Sequence, residues 1–185
     1  MKRNRFLICI CAFRGHGKTT TLLDFVRDYN ERVLIYDRRK DKEWKDVKEI
    51  SVNEIKDFKG LARITNIDVD LVISEIEKNY RNGLLIFEDA GAYIKPQRED
   101  ILYDIVSTIR QRGIDVSFSF WALEEVPLTI LRFTNYIIVK KTNDNIDNIE
   151  KRYKSHPQII TAFNEAKASE NKYFSKEVMI CDPRF

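Results

Sequence analysis

No stretch of this 185-residue chain approaches the ~20 consecutive apolar residues that would cross a bilayer as a helix, so no segment is expected to span a membrane. The start is basic, but the apolar run behind it is only about half a secretory leader's worth and flows into a glycine-bearing loop. Cysteine is scarce. There are three, with Cys9 and Cys11 in one short apolar run and Cys181 far away. That pattern excludes a disulfide framework and, with no histidine cluster nearby, argues against zinc; buried, reduced thiols in a cytosolic protein are expected. Histidine is scarcer still. His16 is expected to matter through its backbone amide, and His156, ahead of Pro157, as a capping or surface residue; neither has a partner pattern for nucleophilic catalysis. An excess of one charge is also lacking: net charge is +3 although 33% of residues are charged. This balance neither demands a nucleic-acid partner nor excludes one in a pore or groove. The runs Lys2-Arg3-Asn4-Arg5 and Arg38-Arg39-Lys40 read first as solvated surface. With no repeats, low-complexity tract or linker, the length suits one domain over 1–185, of which 142–185 is a helical and edge-strand extension.

What is present is concentrated near the start, in Cys11-Ala12-Phe13-Arg14-Gly15-His16-Gly17-Lys18-Thr19-Thr20. An apolar run over 6–11 precedes it and an amphipathic run with Leu22, Leu23, Phe25 and Val26 follows, so a strand, a loop and a helix are expected in that order. This is the setting of a phosphate loop. Gly17 lets the backbone approach a phosphate, Lys18 extends toward the β and γ phosphates, and Thr19 offers a hydroxyl to Mg²⁺. Residues 12–20 are the candidate nucleotide-binding segment. Ala12 stands five positions before Gly17, where the strict pattern has glycine, and it is the smallest available replacement. A dinucleotide fingerprint is disfavoured because Thr20 occupies the place of its third glycine.

Further strands are expected at Val33-Leu34-Ile35-Tyr36, Leu84-Leu85-Ile86-Phe87, 115–121 and Tyr136-Ile137-Ile138-Val139, with helices over 70–82 and 101–112. Asp37, Arg38 and Arg39 follow the second strand and lie either beside the ligand crevice or in an exposed turn. Residues 41–60 suggest a small extension carrying Val47, Ile50, Val52, Ile55 and Phe58, and 93–100 a surface loop. The tail should add helices over 143–153 and 157–168 and an edge strand over 177–181. The second important stretch is Phe87-Glu88-Asp89-Ala90. Paired carboxylates at the exit of a buried strand are costly unless they meet a cation or hydrogen-bond donors. Beside a phosphate loop, Glu88 would hold the Mg²⁺ water shell and Asp89 would position the attacking water.

This order of elements resembles the FtsK/HerA superfamily of nucleic-acid-pumping ATPases. It looks most like the viral genome-packaging ATPases related to the poxvirus A32 protein. The resemblance covers about residues 5–141 and rests on the loop, the adjacent acids and Ile109-Arg110-Gln111-Arg112-Gly113-Ile114-Asp115-Val116-Ser117-Phe118. It implies an α/β fold: a P-loop NTPase with a RecA-like, additional-strand, mostly parallel sheet flanked by helices. It also implies ATP and Mg²⁺ as cofactors, DNA as partner, and a homo-oligomeric ring, often a hexamer. A basic residue of one subunit would reach the next subunit's γ phosphate, with Arg112 and Arg110 the first candidates and Arg132 behind them. A capsid-vertex or membrane protein partner and a host-cytoplasmic or virion-associated location follow from the same resemblance. Two departures stand out: the acids come as Glu88-Asp89 rather than Asp-Glu, and Phe118-Ser119-Phe120-Trp121 lacks the family's sensor glutamine, leaving Ser119 or Trp121 in its place. Lys95-Pro96-Gln97-Arg98 could face a central channel.

The resulting reading is an ATP-driven DNA translocase that packages a viral genome. The alternatives are a Zot-like phage morphogenesis ATPase, a nucleotide or nucleoside kinase, and an NTP-binding assembly protein with little turnover. Phosphate transfer to an added nucleoside would mark the kinase. Tight binding without hydrolysis would mark the assembly protein.

Overall fold

The computed structural model describes residues 5–94 and 99–181, with the side chains of 99–101 left aside. Seven strands form one sheet in the order β3-β2-β4-β5-β1-β6-β7. They are β1 (Leu7–Cys11), β2 (Arg32–Tyr36), β3 (Leu61–Ile64), β4 (Gly83–Phe87), β5 (Ile114–Phe120), β6 (Tyr136–Val139) and β7 (Lys176–Met179). All neighbours run parallel except β6 and β7, which are antiparallel. Strand β5 inserts between β4 and β1, which is the expected RecA-like, additional-strand arrangement.

Parallel strands covered on both faces need apolar residues at successive positions rather than alternate ones, and β4 and β5 are buried at every position. The two faces sort by the two-residue period. Leu34, Tyr36, Leu85 and Phe87 join Cys9, Cys11, Phe118 and Val139 in the larger core cluster. Val33, Ile35, Leu84 and Ile86 point the other way and meet Ile10, Ile138, Trp44 and Leu22. Leu22 is fully buried on α1 (Lys18–Arg27), so truncating it to Ala would cost about 2–5 kcal/mol, by lost transfer energy and a residual cavity.

The larger face is covered by α2 (Val69–Asn79), α3 (Glu99–Ser107), α4 (Ile109–Arg112), α5 (Leu128–Phe133), α6 (Ile146–Arg152) and α7 (Pro157–Ala168). On α2 the buried Val69, Val72, Ile73 and Ile76 fall at helical spacing, and the Asp68 carboxylate caps the start by accepting from Leu71 N–H at 3.1 Å.

Three expectations need correction. β3 was not expected, so Glu88 and Asp89 end the fourth strand rather than the third. The missed segment, Leu-Ala-Arg-Ile, is only four residues long and carries an arginine; it forms by pairing with β2. Residues 101–112 are not one helix: α3 stops at Ser107 and α4 restarts after Thr108, whose backbone leaves helical geometry at φ −111°, ψ 12°. Residues 93–100 are not simply a surface loop, because Tyr93 and Ile94 are buried, and Tyr93 packs on Tyr36 at 4.9 Å between ring centroids. As expected of a capping or surface residue, His156 is the partly exposed N-cap residue of α7, where its C=O accepts from Ile159 N–H at 2.9 Å and Pro157 follows in the first turn. The charged loop Lys95-Pro96-Gln97-Arg98 lies outside the described residues.

Candidate nucleotide-binding site

The loop after β1 is pinned on both sides by strand tips. Ala12 N–H donates to Phe120 C=O at 3.0 Å, and Phe13 N–H to Lys141 C=O at 2.8 Å. Ala12 is buried and its φ is not among the positive values found in the described residues, so alanine fits where the strict pattern has glycine. Gly15 and Gly17 do take left-handed backbone, with φ of 79° and 78°, which a side chain would strain. Helix α1 then opens at Lys18 with no side-chain cap among the described residues, so its first-turn amides face the loop's concavity. The His16 ring nitrogen Nδ1 lies 3.2 Å from Arg14 C=O, so its side chain serves the loop's own conformation.

At the tip of β4 the two acids converge on this loop. Lys18 is only 8% exposed; its ammonium contacts the Asp89 carboxylate directly and lies 3.9 Å from Glu88 Oε1. The Thr19 hydroxyl donates to Glu88 Oε1 at 3.5 Å. Glu88 is almost wholly buried, and its other oxygen, Oε2, has no hydrogen-bond donor among the described residues. Burial pushes the Glu88 carboxyl up to about 7, Lys18 pulls it back, and the carboxylates of Asp41 and Asp37 push it further. Burial likewise lowers the Lys18 ammonium from its ordinary value, against the pull of Glu88, Asp41 and Glu125. Asp89 occupies left-handed backbone at φ 48°, and its N–H donates to Ser119 Oγ at 2.8 Å.

The β5 tip supplies more than the expected strand end. Trp121 Nε1 donates to Asp89 Oδ1 at 2.7 Å, and its own backbone N–H donates to Glu125 Oε2 at 3.0 Å. The Arg39 guanidinium lies 4.3 Å from the centroid of the Trp121 ring. Ser119 and Trp121 thus both touch the second acid from the place where the resembled family has glutamine. The alternatives for the β2 tip split: Asp37 is fully buried and paired with Arg63 at 3.5 Å, whereas Arg39 reaches the site.

A cavity of about 630 Å³ runs across these groups, lined by the loop, Thr19, Thr20, Glu88, Asp89 and Trp121, the 39–43 segment, and Tyr173 from the chain's last quarter. Its volume is in the range that holds a nucleotide-sized ligand. The residues fit a magnesium-bound triphosphate: an orphaned buried carboxylate oxygen, a hydroxyl beside it and a partly desolvated lysine are groups that a cation and phosphates would satisfy together. Among the described residues no three acids, histidines or cysteines form an all-protein metal cage. Thr19 and Glu88 would hold Mg²⁺ alongside phosphate oxygens and water.

Arg112 and Arg110 lie elsewhere. Arg112 sits at the opposite end of β4 and β5, where its C=O accepts from Asn82 N–H at 3.0 Å. Its guanidinium donates to Thr108 Oγ1 at 2.5 Å and to the Glu77 C=O, and pairs with the Glu77 carboxylate at 3.4 Å. Arg110 and Arg132 line a separate cavity at that same end, of about 480 Å³. None of the three approaches the loop of its own chain. Sequence reasoning left out Tyr173, which follows no motif, and the linkage of Arg39 to Trp121, which needs the β2 and β5 tips to be brought together.

No protein-family profile matches the chain, and no curated protein matches it by sequence. Solved structures do match its fold. The genome packaging NTPase B204 from Sulfolobus turreted icosahedral virus 2, in complex with sulfate, superimposes with a TM-score of 0.74 at 13% identity, covering 96% of this chain and 92% of that one. The DNA-packaging ATPase B204 from Sulfolobus turreted icosahedral virus gives 0.72 at 13% identity, covering 96% and 94%. VirB4 of Thermoanaerobacter pseudethanolicus gives 0.60 at 10% identity, covering 98% and 91%.

Proposed function

We propose that this protein is a Mg²⁺-dependent ATPase that drives DNA into a viral shell. The observation that carries the hydrolase part is the meeting of Lys18 and Thr19 with Glu88 and Asp89 in one cavity, with a buried Glu88 oxygen that has no donor among the described residues. Lys18 and the loop amides would bind the phosphates. Mg²⁺, when bound, would neutralise charge on the β and γ phosphate oxygens. Asp89, held by Trp121 Nε1 and by its own N–H on Ser119, would orient the attacking water.

The translocase part is supported by the fold. It is shared over nearly the full length with B204, a packaging NTPase whose structures include complexes with AMPPCP, AMP and ATP-gammaS. On this reading the chain works as a homo-oligomeric ring around DNA, in the host cytoplasm or on the virion. Arg110 and Arg132 line one cavity at the strand ends opposite their own loop, where they suit a neighbour's site better than their own, whereas Arg112 at that end is already paired with Glu77. The phosphate backbone would be gripped without base reading, so binding should weaken steeply with salt.

The test is ATP hydrolysis with and without DNA, with oligomeric state recorded in both conditions. Stimulation by DNA together with ring formation supports the motor. Phosphate transfer to added nucleoside without DNA points to a kinase, and binding without turnover to an assembly protein.

A further inference from the structure

We propose that Tyr173 is the platform on which the base of the bound nucleotide stacks. The inference rests on the nucleotide reading above and adds to it the residue that recognises the nucleoside. The cavity is polar in one direction. Lys18, Glu88 and Asp89 gather at the tips of β4 and β5, which marks the end where the terminal phosphate belongs. In the sheet order, β6 and β7 lie on the opposite side of β1 from β5 and β4. A nucleotide with its phosphates along the loop therefore extends its nucleoside toward β6 and β7.

Tyr173 stands on that side. It belongs to the turn between α7 and β7 and lines the same cavity as the loop. Its ring lies against the loop backbone: Cδ1 is 3.2 Å from where a Cβ on Gly17 would be. The Lys140 ammonium is 3.7 Å from the same point, and the Lys172 ammonium is 5.7 Å from the Tyr173 ring centroid. An aromatic face beside a cation-lined glycine loop suits a planar base attached to a polyphosphate.

The turn is built to hold the ring in place. Asn171 Oδ1 accepts from Tyr173 N–H at 2.9 Å, and the Asn171 C=O from Phe174 N–H at 3.1 Å. Lys141 Nζ donates to Ser169 C=O at 3.2 Å, and β7 then pairs with β6. The next residue, Phe174, packs against the core, yet Tyr173 is 61% exposed. The fold thus anchors the turn through its neighbours and leaves the Tyr173 ring open to the cavity.

Binding of ATP and of inorganic tripolyphosphate, each with Mg²⁺, separates the base from the phosphates and can be read by calorimetry without any turnover. Tyr173→Ala should weaken ATP about tenfold or more while leaving tripolyphosphate within about twofold, and Tyr173→Phe should keep the wild-type ATP affinity. The inference is overturned if Tyr173→Ala changes neither ligand. It is equally overturned if both shift together, because the ring would then shape or cover the loop rather than meet the base. Lys18→Ala separates the two readings: it should weaken both ligands. A wild-type chain that binds neither overturns the nucleotide site itself and this inference with it, whereas one that binds tripolyphosphate as tightly as ATP overturns only the platform.

Discussion

Strands β4 and β5 carry a buried carboxylate at each end, and the two ends treat it differently. At the start of β5, Asp115 has donors on both oxygens: Phe6 N–H at 2.7 Å on Oδ1, and Tyr29 hydroxyl at 2.5 Å with Arg5 at 3.4 Å on Oδ2. At the far end of β4, Glu88 keeps one oxygen without a donor among the described residues, and the adjacent Asp89 sits in left-handed backbone. The first arrangement ties three segments together and needs nothing more. The second leaves an acceptor unpaired among the described residues. Buried charge with its partners in place is architecture, whereas buried charge still short of a partner is where binding energy can be gained.

The largest expected effects break the incomplete end. Lys18→Ala removes the cation that faces both acids and, on the proposed function, would face the phosphates, so nucleotide affinity should fall by about a hundredfold or more. Asp89→Asn keeps the shape but removes the charge, so single-turnover hydrolysis should slow by about 10²- to 10³-fold while ATP affinity changes less than about threefold. Wild-type turnover in Asp89→Asn would remove this residue from the water-positioning role.

The complete end should fail in the opposite currency, stability rather than binding. Asp115→Ala leaves Arg5, Tyr29 and the Phe6 amide without their shared acceptor. The predicted loss is about 2–4 kcal/mol, a fall in Tm of roughly 5–15 °C for a chain of this size. ATP affinity of the folded fraction should not change. A loss of ATP affinity with Tm intact would reverse the comparison.

A smaller effect probes the support behind Asp89. Trp121→Phe keeps an aromatic ring under Arg39 but deletes the Nε1 donor to Asp89. The predicted outcome is about tenfold lower kcat, near the worth of one hydrogen bond to a charged group, with KM little changed. Trp121→Gln, which restores a donor, should recover part of the loss. Equal losses in Phe and Gln variants would mean that the ring's packing, not its donor, matters.

How much of this was legible before the fold is clearest at these same residues. Glycine-lysine-threonine after an apolar run, and two acids after another, are local patterns, so both halves of the site could be read from the chain. The α/β architecture followed from their order. Strand β3 was hidden because its four residues gain strand geometry from β2 rather than from their own pattern. The break at Thr108 was hidden because Leu102, Ile105, Val106 and Ile109 keep helical spacing through it. Tyr173 could not be linked to Gly17 from sequence, since about 150 residues of folding bring them together and neither position encodes the other.

The smallest effect comes from between the two ends, where β1 buries thiols in mid-strand. Cys9 is fully buried, and loss of water pushes its thiol up to about 12, only partly offset by Thr134 Oγ1 at 3.4 Å from Sγ. The ordinary value is 9.0, so the folded state keeps a proton that the unfolded state gives up. Stability from this group is therefore complete below about pH 9 and declines as pH rises toward about 12, by roughly 1 kcal/mol at pH 10. Cys9→Ala should lower stability at pH 7 through lost packing but lose less of it between pH 7 and pH 10 than the wild type does. Denaturant unfolding at the two pH values measures the difference. An unchanged pH slope would mean that Cys9 does not resist ionisation, and that mid-strand burial is less complete than at Asp115 or Glu88.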